Sequence, residues 1–243
     1  MPRNPSKLYS QHVANLRALE AALGSVARLA RSAIASGDPE RGLRTLLRLY
    51  SFLVGAWAEC RLLKLLHEEL GFSGAERLAI LARGTQLDQW ESTVDAALRK
   101  HFGVPKAKLS ASSLGATPSA RRDLLLAILR DDLRIIIEIR NKLAHGQWIY
   151  PFNSAGTSVE NDKYLLINKE NLLSLEFKWA MIGHLADAIH DLVVSPRTFD
   201  RDFDSHFKKL FQAQMNLKRR DYSKYAKSLV DSRQKARAKR AGP

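Results

Sequence analysis

The 243-residue chain is long enough for one sizeable domain, and 45% hydrophobic with 26% charged residues is ordinary for a globular protein. The formal net charge of +14, from 39 Lys and Arg against 25 Asp and Glu, favours a polyanionic partner such as nucleic acid. The single cysteine, Cys60, excludes an intrachain disulfide. The first residues have no apolar core typical of a secretory signal, and the longest apolar runs are too short to span a bilayer. We therefore expect a cytoplasmic protein with no membrane partner.

The first part of the chain predicts two long helices. Apolar positions at steps of three and four predict an amphipathic helix over residues 10–36. Asp38 can cap the next helix and Pro39 suits its first position, so a second helix is predicted over residues 39–70. Its middle, LLRLYSFLVGAWA, is apolar nearly all the way round, which is typical of a central buried helix.

Two further helices and a loop are predicted next. Ser73 and Glu76 have the spacing of a capping box for a short third helix. Thr85 can cap a fourth helix, which Gly103 terminates. Residues 105–118, rich in Ser, Ala and Lys, are predicted to form a loop.

A fifth helix is predicted over residues 119–145, closed by Gly146. After it, apolar residues at 148–152 and 164–167 flank a turn rich in Gly, Ser and Asn, which predicts a small β-hairpin packed on the bundle. An apolar face predicts a sixth helix over residues 168–194.

The C-terminal segment is strongly basic. Residues 218–240 contain ten basic residues and two acidic ones. We predict that it binds RNA phosphates, with Lys218, Arg219 and Arg220 as its first contacts. The alternative is a solubilising, partly disordered terminus.

Arg140 lies at the centre of an apolar arc of the fifth helix. On a wheel of about 100° per residue, the apolar members of this arc fall within roughly 60° of one direction. They are Leu129, Leu133, Ile136, Ile137, Leu143 and Ala144. A buried guanidinium without a partner is very unfavourable, so Arg140 needs an anion, a carboxylate such as that of Glu59, or a wet cleft.

Asn141 and His145 follow Arg140, about 100° and roughly 140° round the wheel. The three side chains therefore converge only if the helix end unwinds, or if two chains form a symmetric dimer with a composite cleft.

The three residue types suit cleavage of RNA by its own 2′-hydroxyl. His145 can exchange protons near neutrality and would be the general acid and base. Arg140 can hold a phosphate through two parallel hydrogen bonds, and Asn141 can orient a hydroxyl or the imidazole. This chemistry needs neither a metal nor a cofactor.

Three further residues are second-tier candidates. Lys142 is a candidate for contact with substrate phosphate, the alternative being a solvated lysine. Glu59 and Arg61 are candidates for supporting the site, the alternative being ion pairs between helices.

The remaining histidines show no spacing with Cys or carboxylates that indicates a metal site. Trp148, Tyr150 and Phe152 could stack on bases, but we expect them to pack in the core.

At the end of the long fifth helix, Arg140 is followed by Asn141, and His145 comes after three further residues, just before Gly146. This pattern resembles the R-x4–6-H motif of the HEPN superfamily (higher eukaryotes and prokaryotes nucleotide-binding domain). The resemblance covers residues 39–194 in helix order. It implies an all-α helical bundle. Residues 1–38, an N-terminal amphipathic helix, and residues 195–243, a basic C-terminal extension, are predicted from the sequence pattern and are extensions that a minimal HEPN toxin would lack.

The resemblance also implies a function. Many HEPN proteins are metal-independent endoribonucleases that act as homodimers, often in toxin–antitoxin or antiviral defence systems with an antitoxin or other regulatory partner. The alternative is a non-catalytic HEPN module that binds RNA or a partner protein. A toxin branch of the family has Tyr two residues after the His; here that residue is Gln147, which puts the tyrosine-directed antidote mechanism of that branch in doubt.

Overall fold

The computed structural model describes residues 6–37 and 40–241, and every regular element in these ranges is a helix. The all-helical class predicted from the sequence is therefore confirmed. The elements are α1 (Lys7–Ser36), α2 (Glu40–Leu66), α3 (Gly74–Leu81), α4 (Gln86–Phe102), α5 (Ala111–Leu114), α6 (Ala116–Ile128), a π-helical segment (Leu129–Leu133), α7 (Arg134–Ala144), α8 (Asn161–Lys169), α9 (Leu172–Val194), α10 (Pro196–Arg219) and α11 (Tyr222–Ala241).

Several helices begin or end at the capping residues that the sequence predicted. The capping box predicted at Ser73 and Glu76 forms, and Thr85, the predicted cap of the fourth helix, forms a capping box with Asp88. Gly103 ends α4 in the left-handed conformation, with φ of 64°. The predicted cap at residues 38–39 lies outside the described residues.

Other boundaries differ from the prediction. Ser6 caps α1, which therefore begins three residues before the predicted start. The second helix ends at Leu66 rather than at residue 70. Residues 105–118, predicted as a loop, include α5 and the start of α6. The Ser and Ala residues there serve as helix caps and helix formers, so composition alone did not separate a loop from short helices.

The predicted β-hairpin is wrong. Residues 164–167 lie within α8, and the described residues of this region contain only one isolated antiparallel bridge, between Phe152 and Val159. A run of four apolar residues without alternation fits a buried turn of helix as well as a strand, and here the helix forms.

The core centres on α2 and α9. Tyr50, Val54 and Ala58 of α2 are at most 1% exposed, as are Ile182 and Ile189 of α9. Helices α1, α4, α6, α7 and α10 bury side chains in the same cluster. A smaller cluster of Ile139, Leu143 and Ile167 joins the end of α7 to α8. The end of α7 is thus packed on both sides.

Helices α2 and α7 cross closely at Gly55. A Cβ on Gly55 would overlap the Cβ of Arg140 and would lie 2.8 Å from its Cγ and 3.4 Å from the carbonyl oxygen of Ile136. These atoms belong to the root of a side chain and to the backbone, so they cannot move aside easily. Glycine at this position therefore allows the two helices to approach each other.

We predict that Gly55→Ala lowers the free energy of unfolding by about 1–3 kcal/mol, because the added methyl group overpacks this crossing. Gly24→Ala in α1 is the matched control, since a Cβ on Gly24 meets no atom within 4 Å. The control should stabilise the protein by about 0.5–1 kcal/mol through higher helix propensity. Urea unfolding followed by circular dichroism measures both changes, and equal effects of the two variants would contradict the close crossing.

Candidate functional site

An open cleft of about 840 Å³ lies beside the C-terminal end of α7. The segment that connects α7 to α8 and the first turn of α8 form its other walls. Among the lining residues are Glu138, Asn141, Lys142, His145, Glu160 and Lys163. The cleft thus contains two of the three residues predicted to be catalytic, and Arg140 is not among those that line it.

The end of α7 presents Asn141 and His145 on one face. His145 follows the last helical residue, and its backbone N–H donates to the carbonyl of Asn141 at 3.1 Å. Gly146, with φ of 76°, then turns the chain away from the helix axis. Asn141 and His145 are four residues apart, so they are neighbours on the helix surface. Both are exposed, and in the described part of the chain the imidazole of His145 has no hydrogen-bond partner.

Arg140 lies on a different face, against α2. Its guanidinium forms an ion pair with Glu59, and its Nη1 donates to Oδ1 of Asn141 at 3.0 Å. Its Nε is buried and has no acceptor among the described residues. Burial lowers the pKa of Arg140. The carboxylate partner considered from the sequence is therefore present, although it leaves one guanidinium donor unsatisfied.

Asn141 joins the two faces of the helix end. It accepts a hydrogen bond from Arg140 on one side and lies one turn before His145 on the other. The regular wheel predicts that Arg140 and His145 diverge by roughly 140°. Asn141 lies between the two and contacts Arg140, so the last turn of α7 carries three polar side chains that are spread over two faces.

Both lysines of the cleft are paired with carboxylates. Lys142 lies 3.2 Å from Glu160 and also donates to the carbonyl of Phe152. Lys163 pairs with Glu138 and lies 3.2 Å from Asp162. Within one chain these charges hold the cleft walls together and leave little positive charge free for a phosphate.

Arg61 lies outside the cleft. Its guanidinium donates to Asp187 of α9 at 2.7 Å, which is the ion pair between helices considered from the sequence.

The basic residues at the end of α10 lie apart from the cleft in a single chain. Gln214 donates to Asp132 of the π-helical segment at 2.7 Å, which places the last turns of α10 there. Asp132 precedes Asn141 by nine residues, about 13 Å along a helix axis. Lys218, Arg219 and Arg220 are all exposed at this other end.

Arg48 is a structural residue of the site that the sequence analysis missed. It is 3% exposed on α2, and its guanidinium donates to the carbonyls of Trp148 (3.2 Å) and Ile167 and to Oδ1 of Asn168 (2.8 Å). It thus joins the start of the segment that connects α7 to α8, at Trp148, to the last turn of α8, at Ile167 and Asn168. An arginine inside the apolar run LLRLY is the same departure from the pattern that identified Arg140, so the signal was present in the sequence.

The aromatic residues after α7 divide into two groups. Trp148 is partly buried, packs on the Ile139 and Leu143 cluster and donates its Nε1–H to the carbonyl of Leu143 at 3.0 Å. Tyr150 and Phe152 are 52% and 38% exposed, so the expectation of core packing is wrong for these two. Tyr150 stacks instead on the ring of Tyr164 of α8, with ring centroids 5.7 Å apart, at the surface of the protein.

The other polar clusters are ion-pair networks between helices. Glu68 lies 3.2 Å from His190 and pairs with Lys64; burial opposes its ionisation, but the hydrogen bonds from these two partners lower the pKa of Glu68 to about 2. His206 lies 2.8 Å from Asp191. Within residues 6–37 and 40–241, no cluster of three or more His, Cys, Asp or Glu could hold a metal, and no helix is long and apolar enough to cross a membrane.

Comparisons with known proteins find no matching family model, no similar curated protein and no similar solved structure.

We predict that Arg48→Met loosens the cleft wall selectively. The substitution leaves buried carbonyls without donors, so the free energy of unfolding should fall by about 3 kcal/mol. Hydrogen exchange of residues 146–170 should increase more than that of α1 or α4. Arg201→Met, at an exposed ion pair with the adjacent Asp202, is the control and should leave stability nearly unchanged, because solvent screens the pair. Uniform exchange throughout the molecule would contradict the local role of Arg48.

Proposed function

We propose that this protein is a metal-independent endoribonuclease of HEPN type that acts as a homodimer through the last turn of α7. A toxin or an antiviral defence effector, restrained by an antitoxin or other regulatory partner, is the biological role that the motif resemblance favours. The observation that carries the proposal is the group of polar side chains at the end of α7: Arg140 donates to Asn141, and His145, one turn after Asn141, is exposed and has no hydrogen-bond partner among residues 6–37 and 40–241.

The proposed reaction is transesterification within the RNA strand. The 2′-oxygen attacks the adjacent phosphorus, the bond from phosphorus to the 5′-oxygen breaks, and a 2′,3′-cyclic phosphate and a 5′-hydroxyl are formed. His145 accepts the 2′-hydroxyl proton or delivers a proton to the leaving 5′-oxygen. Arg140 stabilises the charge that grows on the phosphoryl oxygens, and Asn141 orients the reacting hydroxyl or the imidazole.

The charges of the cleft support a dimer. In a single chain Lys142 and Lys163 are paired with carboxylates, and Arg140 faces α2. The reaction also needs two proton transfers, one from the 2′-hydroxyl and one to the leaving 5′-oxygen, and with one His145 the same imidazole would have to perform both. A second copy of α7 across a two-fold axis would supply a second His145 to the same cleft, and contact between the copies would have to release Arg140 from Glu59 for it to reach the phosphate.

The alternative function is a non-catalytic HEPN module that binds RNA or a partner protein. The ion pair between Arg140 and Glu59 favours it, because this pair gives the arginine a structural reason to be present.

Cleavage of a mixture of end-labelled tRNA and messenger RNA tests the proposal. We expect products with cyclic phosphate ends in the presence of EDTA, and at least a hundredfold loss of rate in His145→Ala, by the typical contribution of general acid–base catalysis. His101→Ala is the control, because His101 lies on α4 and is bound to Asp200 at 2.9 Å. Activity lost on chelation would contradict the metal-free mechanism, unchanged cutting by His145→Ala would contradict the site, and RNA binding without products would establish the non-catalytic module.

Glu59→Gln and Arg140→Gln separate a phosphate-binding arginine from a merely structural one. If Arg140 binds the scissile phosphate, Arg140→Gln should lose about a hundredfold in rate, whereas Glu59→Gln should change the rate only a few-fold, since it releases the guanidinium without removing it. Unfolding measurements on both variants provide the control, because each breaks the same ion pair. Equal loss of activity in the two variants would show that Arg140 acts only through that pair.

A further inference from the structure

The basic C-terminal segment forms a helix fixed to the bundle. Tyr222, Tyr225, Ala226 and Leu229 of α11 pack on the main core, and α11 lies against α1. Arg233 donates to the carbonyl of Ser32 at 3.2 Å and also to Oγ of Ser36. One face of α11 is therefore occupied by the rest of the protein.

The opposite face of α11 is a row of lysines. At about 100° per residue, Lys224, Lys227, Lys235 and Lys239 fall within an arc of roughly 120° that lies away from the packed face. All four are exposed, and among the described residues none of them has an ion-pair partner. Asp231 is the one acidic residue in the sequence of α11 and lies in the same arc, so a clear excess of positive charge remains.

The row continues into the bend between α10 and α11. A depression of about 490 Å³ lies there, and its lining includes the basic Arg219, Arg220 and Lys224, the acidic Asp221 and the aromatic rings of Phe177 and Tyr225, so basic residues outnumber acidic ones by three to one. From Lys224 to Lys239 the helix rises about 22 Å, which equals about six nucleotides of one strand at 3.4 Å each. Charge and length both suit a nucleic-acid backbone.

We propose that these residues, the α11 stripe (Arg219, Arg220, Lys224, Lys227, Lys235 and Lys239), bind the phosphates of RNA without sequence preference, apart from the cleft in which the strand is cut. The proposal rests on the proposed function only in taking RNA as the partner. Polyanion binding of this kind depends on free, exposed charges rather than on a built pocket. The stripe provides them, whereas the lysines of the cleft are paired.

The stripe suits RNA better than an anionic membrane. A helix that lies on a bilayer inserts an apolar face between the headgroups. The large apolar residues Tyr222, Tyr225 and Leu229 of α11 already pack on the bundle. Besides the lysines, the outward arc contains only Ser228, Asp231 and the small Ala238, so it has no large apolar side chain to insert. Only electrostatic attraction is then available for binding to this face, and this favours a flexible polyanion whose phosphates can follow the row of lysines.

Fluorescence anisotropy of a labelled 20-nucleotide single-stranded RNA, titrated with the full chain across a range of KCl concentrations, tests the proposal. The binding measurements use the His145→Ala background, so that the RNA stays intact. The stripe variant combines Lys227→Gln, Lys235→Gln and Lys239→Gln. The matched control combines Arg83→Gln, Lys106→Gln and Lys108→Gln, which removes the same charge from exposed residues on other loops. Circular dichroism verifies the helical content of both.

We expect the stripe variant to weaken Kd by at least about tenfold near 0.1 M salt and to reduce the slope of log K against log salt by about 2, at roughly 0.7 for each lost phosphate contact. The control should change Kd less than threefold. Equal weakening in both variants would show that net charge alone matters and would overturn the stripe.

The remaining outcomes separate the two proposals. Binding to phosphatidylserine vesicles that the stripe variant abolishes, without RNA binding, would overturn RNA as the partner. Binding by the stripe without any cleavage by the unmodified chain would uphold the stripe and refute only the nuclease.

Discussion

The contact between Gly55 and the Cβ of Arg140 determines how closely α2 and α7 approach each other, and the geometry of the candidate site depends on it. Because glycine lacks a Cβ, the root of the Arg140 side chain lies directly on the backbone of α2. Glu59 follows Gly55 by one turn, so its carboxylate lies on the same face of α2 and forms the ion pair with the Arg140 guanidinium. A larger residue at position 55 would push α7 outward and would move Arg140, Asn141 and His145 together.

The same face of α2 also fixes the wall of the cleft. Arg48, Gly55 and Glu59 are spaced by seven and four residues, which places them within about 40° of one another on a helix. Arg48 binds the carbonyl of Trp148, just after α7, and the carbonyl of Ile167, in the last turn of α8. One face of α2 thus positions both α7 and the segment that follows it. The packed core, rather than the connecting segment, therefore determines where the cleft lies relative to His145.

The sequence predicted those features that depend on local chemistry. Capping residues marked the starts of α3 and α4, and the position of Arg140 in an apolar arc pointed to a partner, which the structure provides as Glu59. It could not predict the π-helical segment at Leu129–Leu133, since no proline or glycine marks it and a wheel assumes one constant period. Nor could it distinguish α8 from a strand, because four consecutive apolar residues fit both and only the packing of Ile167 against Ile139 decides between them.

The distribution of paired and free charges indicates how a protein with a net charge of +14 could divide binding from chemistry. Around the cleft the basic side chains have carboxylate partners, so their fields are largely cancelled and their positions are fixed. Along α11 the lysines are exposed and lack such partners in the described structure, so their fields extend into solvent. Transition-state stabilisation requires groups held in place, whereas affinity for a polyanion requires charge that is free to release counterions. Under the proposed function, the two demands would be met on separate helices: the free charges of α11 would attract RNA of any sequence, and the fixed groups at the end of α7 would carry out the chemistry.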